Sequence, residues 1–245
     1  MPVYKLTIEY NGTPFGGWQI QNNNITVQGE IQKALAVILK SPHKIQGASR
    51  TDAGVHAIGQ VAHLKTSVDI STHKLARGIS ALCRPSISIV KAEIIHDRFN
   101  ARFDSLGKHY RYTVLNRSAS SPLLSNTSWH VSHKIDLNRM LNAAKMVEGE
   151  HDFAGFRASD CERDSTIRYI SSVNIVQIPG DIVEIHVKGT AFLKNMVRII
   201  AGTLVDIAIG KLPENTIESL FLNPNRIFAG RTAPANGLAL LKVYY

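Results

Sequence analysis

Gln46-Gly47-Ala48-Ser49-Arg50-Thr51-Asp52-Ala53-Gly54-Val55-His56-Ala57-Ile58-Gly59-Gln60-Val61-Ala62-His63-Leu64 holds two β-patterned runs joined by a polar loop, with no helical pattern between them. The runs span 44–48 and 58–64, and the second alternates in the manner of a half-buried strand. Upstream, Thr26 can cap a helix whose apolar positions Ile31, Leu35, Ile38 and Leu39 recur at helical spacing, with Pro42 as its stop. Before that, 3–10 is rich in strand formers and runs into the turn signal Asn11-Gly12, with Pro14 close behind. Downstream, Ser71 or Thr72 opens a second helix to about Cys83, and 87–94 reads as another strand. Strand, helix, strand, strand, helix, strand is a β-α-β-β-α-β unit, an α+β arrangement.

The second half follows a similar outline. A strand rich in Tyr and Val spans 108–115, and Asp136 caps a helix with Leu137, Met140, Leu141 and Ala144 on one face. Strands at 167–178 and 182–188 flank the turn Pro179-Gly180-Asp181, a helix covers 192–209 up to Gly210, and 238–244 is a last strand. The expected fold class is therefore α+β, with two β-α-β-β-α-β-like halves meeting near residue 105. Residues 1–105 carry the polar loop, and residues 106–245 form the C-terminal half.

The chain has 245 residues, ample for a core without disulfide or metal staples, and 44% of them are hydrophobic, which excludes wholesale disorder. Lys and Arg number 28 against 19 Asp and Glu, a net charge of +9 that suits a partner made of phosphates. A basic surface serving only solubility is the plainer alternative. No Lys/Arg-studded amphipathic helix or lipidation motif points to a membrane. Cys83 and Cys161 form neither a CxxC pair nor a disulfide framework. The N-terminal residues lack the apolar run of a signal peptide, so the cytoplasm is the expected compartment and the Asn11-Gly12-Thr13 triplet reads as chance. The longest apolar stretch, 192–209, is interrupted by Lys194, Arg198 and Asp206 and reads as a buried soluble helix.

There is no P-loop, no GxGxxG after a strand, no HExxH and no GxSxG, and no pair among the ten histidines has zincin spacing. Neither cofactor nor metal is expected. In the loop at 47–57, Arg50 and Asp52 leave one face of an extended segment, and Gly54 permits a tight turn just past the carboxylate. A carboxylate beside arginine stays ionised and can serve as nucleophile or base. On residue types alone, the commoner arrangement is an Asp that caps a turn beside a solvated Arg.

Arg50-Thr51-Asp52-Ala53-Gly54-Val55-His56-Ala57 followed by Gly59-Gln60-Val61 resembles the signature loop of the TruA-type tRNA pseudouridine synthases. Phe15-Gly16-Gly17-Trp18-Gln19 and Thr26-Val27-Gln28-Gly29-Glu30 resemble that family's N-terminal segment. Phe99-Asn100-Ala101-Arg102-Phe103 and Lys108-His109-Tyr110-Arg111-Tyr112 resemble its central motif. Gly149-Glu150-His151-Asp152-Phe153, Phe192-Leu193-Lys194-Asn195-Met196-Val197-Arg198 and Arg231-Thr232-Ala233-Pro234-Ala235-Asn236-Gly237-Leu238 resemble later ones. Any one is weak, and their order along most of the chain is specific. The segment 156–168 departs by its acidity, through Asp160, Glu162 and Asp164.

The resemblance implies the pseudouridine synthase fold, two halves with a joined mixed and antiparallel sheet and the site in a central cleft. It implies a cofactor-independent reaction in which uridine is cut at its N1 glycosidic bond, rotated and rejoined through C5. Asp52 is the catalytic residue implied, either attacking the sugar or abstracting a sugar proton. Tyr110 would take the C5 proton and stack on the flipped base, whereas Tyr112, on the same strand face as Lys108 and Tyr110, reads as a core aromatic. Arg198 would pair with Asp52, or else contact phosphate. Arg50 would help hold the target nucleotide out of the stack, and Arg102, Lys108 and Arg111 would bind phosphates. The implied partners are tRNA, at positions 38, 39 and 40 of the anticodon stem-loop, and a second copy in a homodimer, with no membrane. Two other classes fit the residues less well: a noncatalytic RNA-binding protein on the same scaffold, and a metal-dependent nuclease, for which one Asp in an Arg-flanked loop is a poor divalent site.

Overall fold

Alternating side chains in Val3–Tyr10 (β1) put Leu6, Ile8 and Tyr10 among the fully buried residues, with Glu9 turned to solvent. The computed structural model describes residues 1–161 and 163–245; Glu162 of the acidic segment lies outside them. The chain forms two compact units, one of Met1–Leu106 with Ala239–Tyr245 and one of Gly107–Leu238.

In the first unit, α1 (Val27–Leu39) starts where Thr26 Oγ1 accepts the Gly29 N–H at 3.3 Å, and α2 (Thr72–Leu82) where Ser71 Oγ accepts from Lys74 N at 3.3 Å. The α1 helix stops before Pro42, at Lys40, whose left-handed φ of 54° turns the chain. Between the helices lie β2 (Ile45–Gly47) and β3 (His56–Lys65), and β4 (Ile87–Ile95) follows α2. The strands run in the order β4-β1-β3, all antiparallel, with β2 antiparallel on the far edge of β3 at Ala62–Leu64. Leu6, Ile8, Ile31, Leu35, Leu64, Leu75 and Ile79 meet at zero exposure. The order is the β-α-β-β-α-β unit that the apolar periodicity predicts.

The last strand (Leu238–Tyr244, labelled β10) departs from expectation. Sequence order assigns it to the second half, yet it pairs in parallel with β3, Ala239 opposite His56 and Leu240 opposite Ala57, on the stretch of edge that three-residue β2 leaves open. Gly59 makes the approach possible: a Cβ there would stand 2.3 Å from the Leu241 carbonyl oxygen.

The second unit is built on β5 (Gly107–Asn116), β8 (Ile167–Ile178) and β9 (Ile182–Gly189), antiparallel in the order β5-β9-β8. Two short strands that no periodicity signals extend it, β6 (Trp129–Val131), parallel to β5, and β7 (Gly149–Asp152), antiparallel to β8. Three and four residues are too few to show an alternation. With these and α5 (Thr216–Leu222), also unforeseen, the second half departs from a simple β-α-β-β-α-β order. Asp136 caps α3 (Leu137–Met146) as read from sequence, accepting from Asn138 N at 2.9 Å and Arg139 N at 3.1 Å. The helix expected over 192–209 begins later, as α4 (Met196–Ala208), because Asn195 takes a left-handed φ of 60°. Its residues are buried on every side except at Arg198, in keeping with the buried helix read from the apolar run at 192–209. α3 and α4 pack on each other, α3 on β8 and α4 on β5. Among the described residues no helix is long and apolar enough to cross a membrane.

Replacing Gly59 by Ala should lower the urea midpoint, costing about 1–3 kcal/mol, because backbone has to move to admit the methyl. An unchanged midpoint would mean that the β3–β10 pairing is not held this tightly.

Candidate active site

The loop carrying Asp52 leaves β2, turns and enters β3. Val55 N donates to Asp52 O at 3.1 Å, and Gly54 sits third in this turn with a φ of 78°, the conformation that a type II turn reserves for glycine. Thr51 points inward at 7% exposure, its Oγ1 2.7 Å from the Tyr10 hydroxyl, while Asp52 is half-buried and Arg50 exposed. The alternation expected of an extended segment holds here.

The Phe15-Gly16-Gly17-Trp18 segment supports that loop. Trp18 N donates to Thr51 O at 3.1 Å and Gly54 N to Phe15 O at 3.3 Å. A Cβ on Gly17, whose φ is 101°, would lie 2.7 Å from Thr51 O, and one on Gly12 would overlap the Val55 carbonyl. On the other flank Gln60, fully buried, accepts from Ser49 N at 3.2 Å and donates to Ser49 O at 2.9 Å. Sequence reasoning missed Gln60, although an amide at an inward strand position was its signal.

Arg198 has a seat of its own in the second unit. Its Nε donates to Ala233 O at 2.8 Å and its Nη1 to Asn195 Oδ1 at 2.9 Å, and Ala233 N returns a bond to Arg198 O at 3.1 Å. Gly202, on the next turn of α4, lets the Arg231 carbonyl pass so close that any Cβ would coincide with it. Asp206, 5% exposed, grips Arg231 through its backbone N (3.2 Å), Nε (3.1 Å) and Nη2 (2.9 Å). Thus the motifs at 192–198 and 231–238 form one structure. Asp206 was the missed signal there, a charge inside the longest apolar run.

Tyr110, 6% exposed, meets Phe192 edge-on with ring centroids 5.1 Å apart. Tyr112 is fully buried and donates its hydroxyl to Pro234 O at 2.8 Å, the core role read from sequence. Burial raises its phenol pKa well above the ordinary value, against the opposing charge of Arg198.

The remaining candidates are spread along the chain. Lys108 and Arg102 are half-buried. Arg111, expected at phosphate, is held 3.3 Å from Glu184 Oε1 in a polar chain on β5 and β9. Glu184 Oε2 lies 2.9 Å from His186 Nε2, and His186 Nδ1 lies 3.0 Å from His109 Nε2. In the acidic segment Asp160 is bound by Lys194 at 2.6 Å, and that hydrogen bond lowers its pKa. Among the described residues no three His, Cys, Asp or Glu side chains gather as a metal site would require.

Residues 6–104 and 143–245 match the tRNA pseudouridine synthase family. The chain belongs to that family. A tRNA pseudouridine synthase A of Geotalea uraniireducens (strain Rf4) is 45% identical over 245 residues, all of both chains. Another, of Ruminiclostridium cellulolyticum, is 43% identical over the same span, again all of both. Among solved structures a Cbf5-Nop10-Gar1 complex overlaps with 96% of this chain and 57% of its own at 13% identity, with a TM-score of 0.37. Membership makes the chain an isomerase of uridine in tRNA.

His63 joins the synthase's central motif to β3. It is 7% exposed, and its Nδ1 accepts the Ala101 N–H at 3.1 Å, which requires the neutral ring. Burial, then the charge of Lys65, lowers its pKa below the ordinary 6.5, with Asp104 opposing. The stability tied to the neutral ring is therefore fully present above pH 6.5 and is lost as pH falls through the lowered folded value. Between about pH 7.5 and about pH 5.5 the unfolding midpoint should drop more in wild type than in His63→Asn, which keeps an acceptor but does not titrate. Equal drops would acquit His63.

Proposed function

We propose that this synthase isomerises uridines at positions 38, 39 and 40 of the tRNA anticodon stem-loop, in the cytoplasm, as a homodimer and without a cofactor. The observation that carries this reading is the likeness to tRNA pseudouridine synthase A along the whole chain, together with a turn built to present one carboxylate.

The reaction balances within the substrate. The N1–C1′ bond breaks, the uracil turns over, C5 bonds to C1′, the hydrogen on C5 leaves as a proton, and N1 takes up a proton in its place. Asp52 assists the first step, by attack on the sugar or by taking a sugar proton, and Arg198 is the cation that keeps it ionised and oriented. Tyr110 receives the C5 proton and stacks on the base. Arg50 helps hold the nucleotide out of the stack, and Arg102, Lys108 and Arg111 meet phosphates. Here the RNA phosphate competes with Glu184 for the Arg111 guanidinium.

Tritium release from tRNA labelled at uridine C5 tests the chemistry. Wild type should release tritium with EDTA present, and Asp52→Asn should release none while binding tRNA as tightly as wild type. Release by the variant at an unchanged rate would remove Asp52 from the mechanism, and sequencing the product for pseudouridine decides the three positions.

Affinity for tRNA should fall steeply as salt rises, since a chain of net charge +9 that neutralises several phosphates displaces their counterions. A flat salt response, measured by anisotropy, would contradict the phosphate contacts.

A further inference from the structure

Phe103 is 73% exposed, although Phe99 in the same loop is 2% exposed. A single exposed ring is ordinary on a protein surface. What sets Phe103 apart is the rigidity of its mount and the charge beside it. Asn100 Oδ1 accepts from Arg102 N at 3.0 Å and Phe103 N at 3.2 Å, and Asp104 Oδ2 accepts from Asn100 N at 2.9 Å. Below the ring, Ala101 is fixed on both sides, its N–H by His63 Nδ1 and its carbonyl by the Tyr245 hydroxyl at 2.7 Å. Phe99 packs on Tyr245 with centroids 5.1 Å apart. The loop cannot fold Phe103 inward without giving up these bonds.

The Arg102 guanidinium carbon stands 5.4 Å from the Phe103 ring centroid, within cation–π range. The loop is also tied to the strand that leads to Asp52. Asn100 Nδ2 lies 3.5 Å from Gln46 Oε1, and Gln46 pairs with His63 across β2 and β3. From Gln46 to Asp52 the chain reaches at most about 20 Å, a few nucleotides of RNA. Bases unstacked from single-stranded loops lie on aromatic rings and arginine planes. A rigid ring edged by a guanidinium fits a base with its phosphate. It fits a second copy of a chain with net charge +9 less well, because like charges would face each other.

We propose that Phe103 is a stacking platform for an unpaired base of the tRNA loop that carries the target uridine, with Arg102 on the adjoining phosphate. It rests on the tRNA-isomerase reading above and adds a residue that selects unpaired, splayed loops.

Phe103→Ala, Phe103→Leu and Phe103→Trp, compared with wild type, test it through direct binding of an anticodon stem-loop RNA and through KM and kcat in tritium release. Ala and Leu should weaken binding and raise KM about tenfold, the loss of one base stack, with kcat within about twofold. Trp should keep wild-type affinity. The salt slope should stay as in wild type for all three, whereas Arg102→Ala should flatten it. Three results would overturn the platform: an Ala variant that binds as wild type, a Leu variant as good as Trp, or an affinity loss that follows dissociation of a dimer in sedimentation. Because binding is read on RNA directly, a wild type that binds but releases no tritium would refute the synthase reading and still leave the Phe103 comparison decisive.

Discussion

Close backbone approach holds the Asp52 loop in shape. Two segments, at 12–18 and 47–55, lie so near one another that side chains are excluded at Gly12, Gly17 and Gly47, where a Cβ would strike Val55 O, Thr51 O and the Trp18 ring. Packing at this distance leaves backbone groups no route to water, so they must bond to one another, as Trp18 N does with Thr51 O and Gly54 N with Phe15 O. A carboxylate on such a frame is positioned by the frame and does not depend on its own rotamer alone.

The second unit uses the same device around Arg198. Gly202 and Gly230 admit backbone against α4, where Cβ atoms would meet the Arg231 carbonyl and Thr203. Thr203 Oγ1 accepts from Gly230 N at 3.0 Å, and Asp206 bonds Arg231, so the segment is fixed at three successive points on one helix. A helix enclosed on every side cannot shift to relieve strain, and Arg198, its one part-exposed member, takes its direction from the carbonyl of Ala233. Burying Asp206 next to Arg231 is tolerable only because the carboxylate is bonded on both oxygens.

Charge and rigidity are distributed differently from what composition suggests. Of the cations expected at phosphate, Arg111 is tied to Glu184, while Arg102 flanks an exposed ring. Lys194, next to the Arg198 seat, is engaged by Asp160 from the acidic segment. The 28 Lys and Arg residues thus overstate the number of cations standing ready for RNA.

Sequence alone determined the elements long enough to show a period, the caps at Thr26 and Asp136, a helix start at Ser71 or Thr72 and the turn at Gly54, because each is a local property of a few consecutive residues. It also marked the Asp52 loop, through the order of several motifs along the chain. Tertiary structure decided what local pattern cannot carry. The last strand joins the first unit because β2 is short and leaves an edge of β3 unpaired. α4 starts at Met196 because Asn195 turns left-handed, and it is buried all round because β5, α3 and the 230–233 segment close on it. Gln60, Asn195, Asp206 and His63 act through partners 11, 3, 25 and 38 residues away in sequence. Three of the four pairs lie far beyond any local period, so the fold had to exist before these residues had roles.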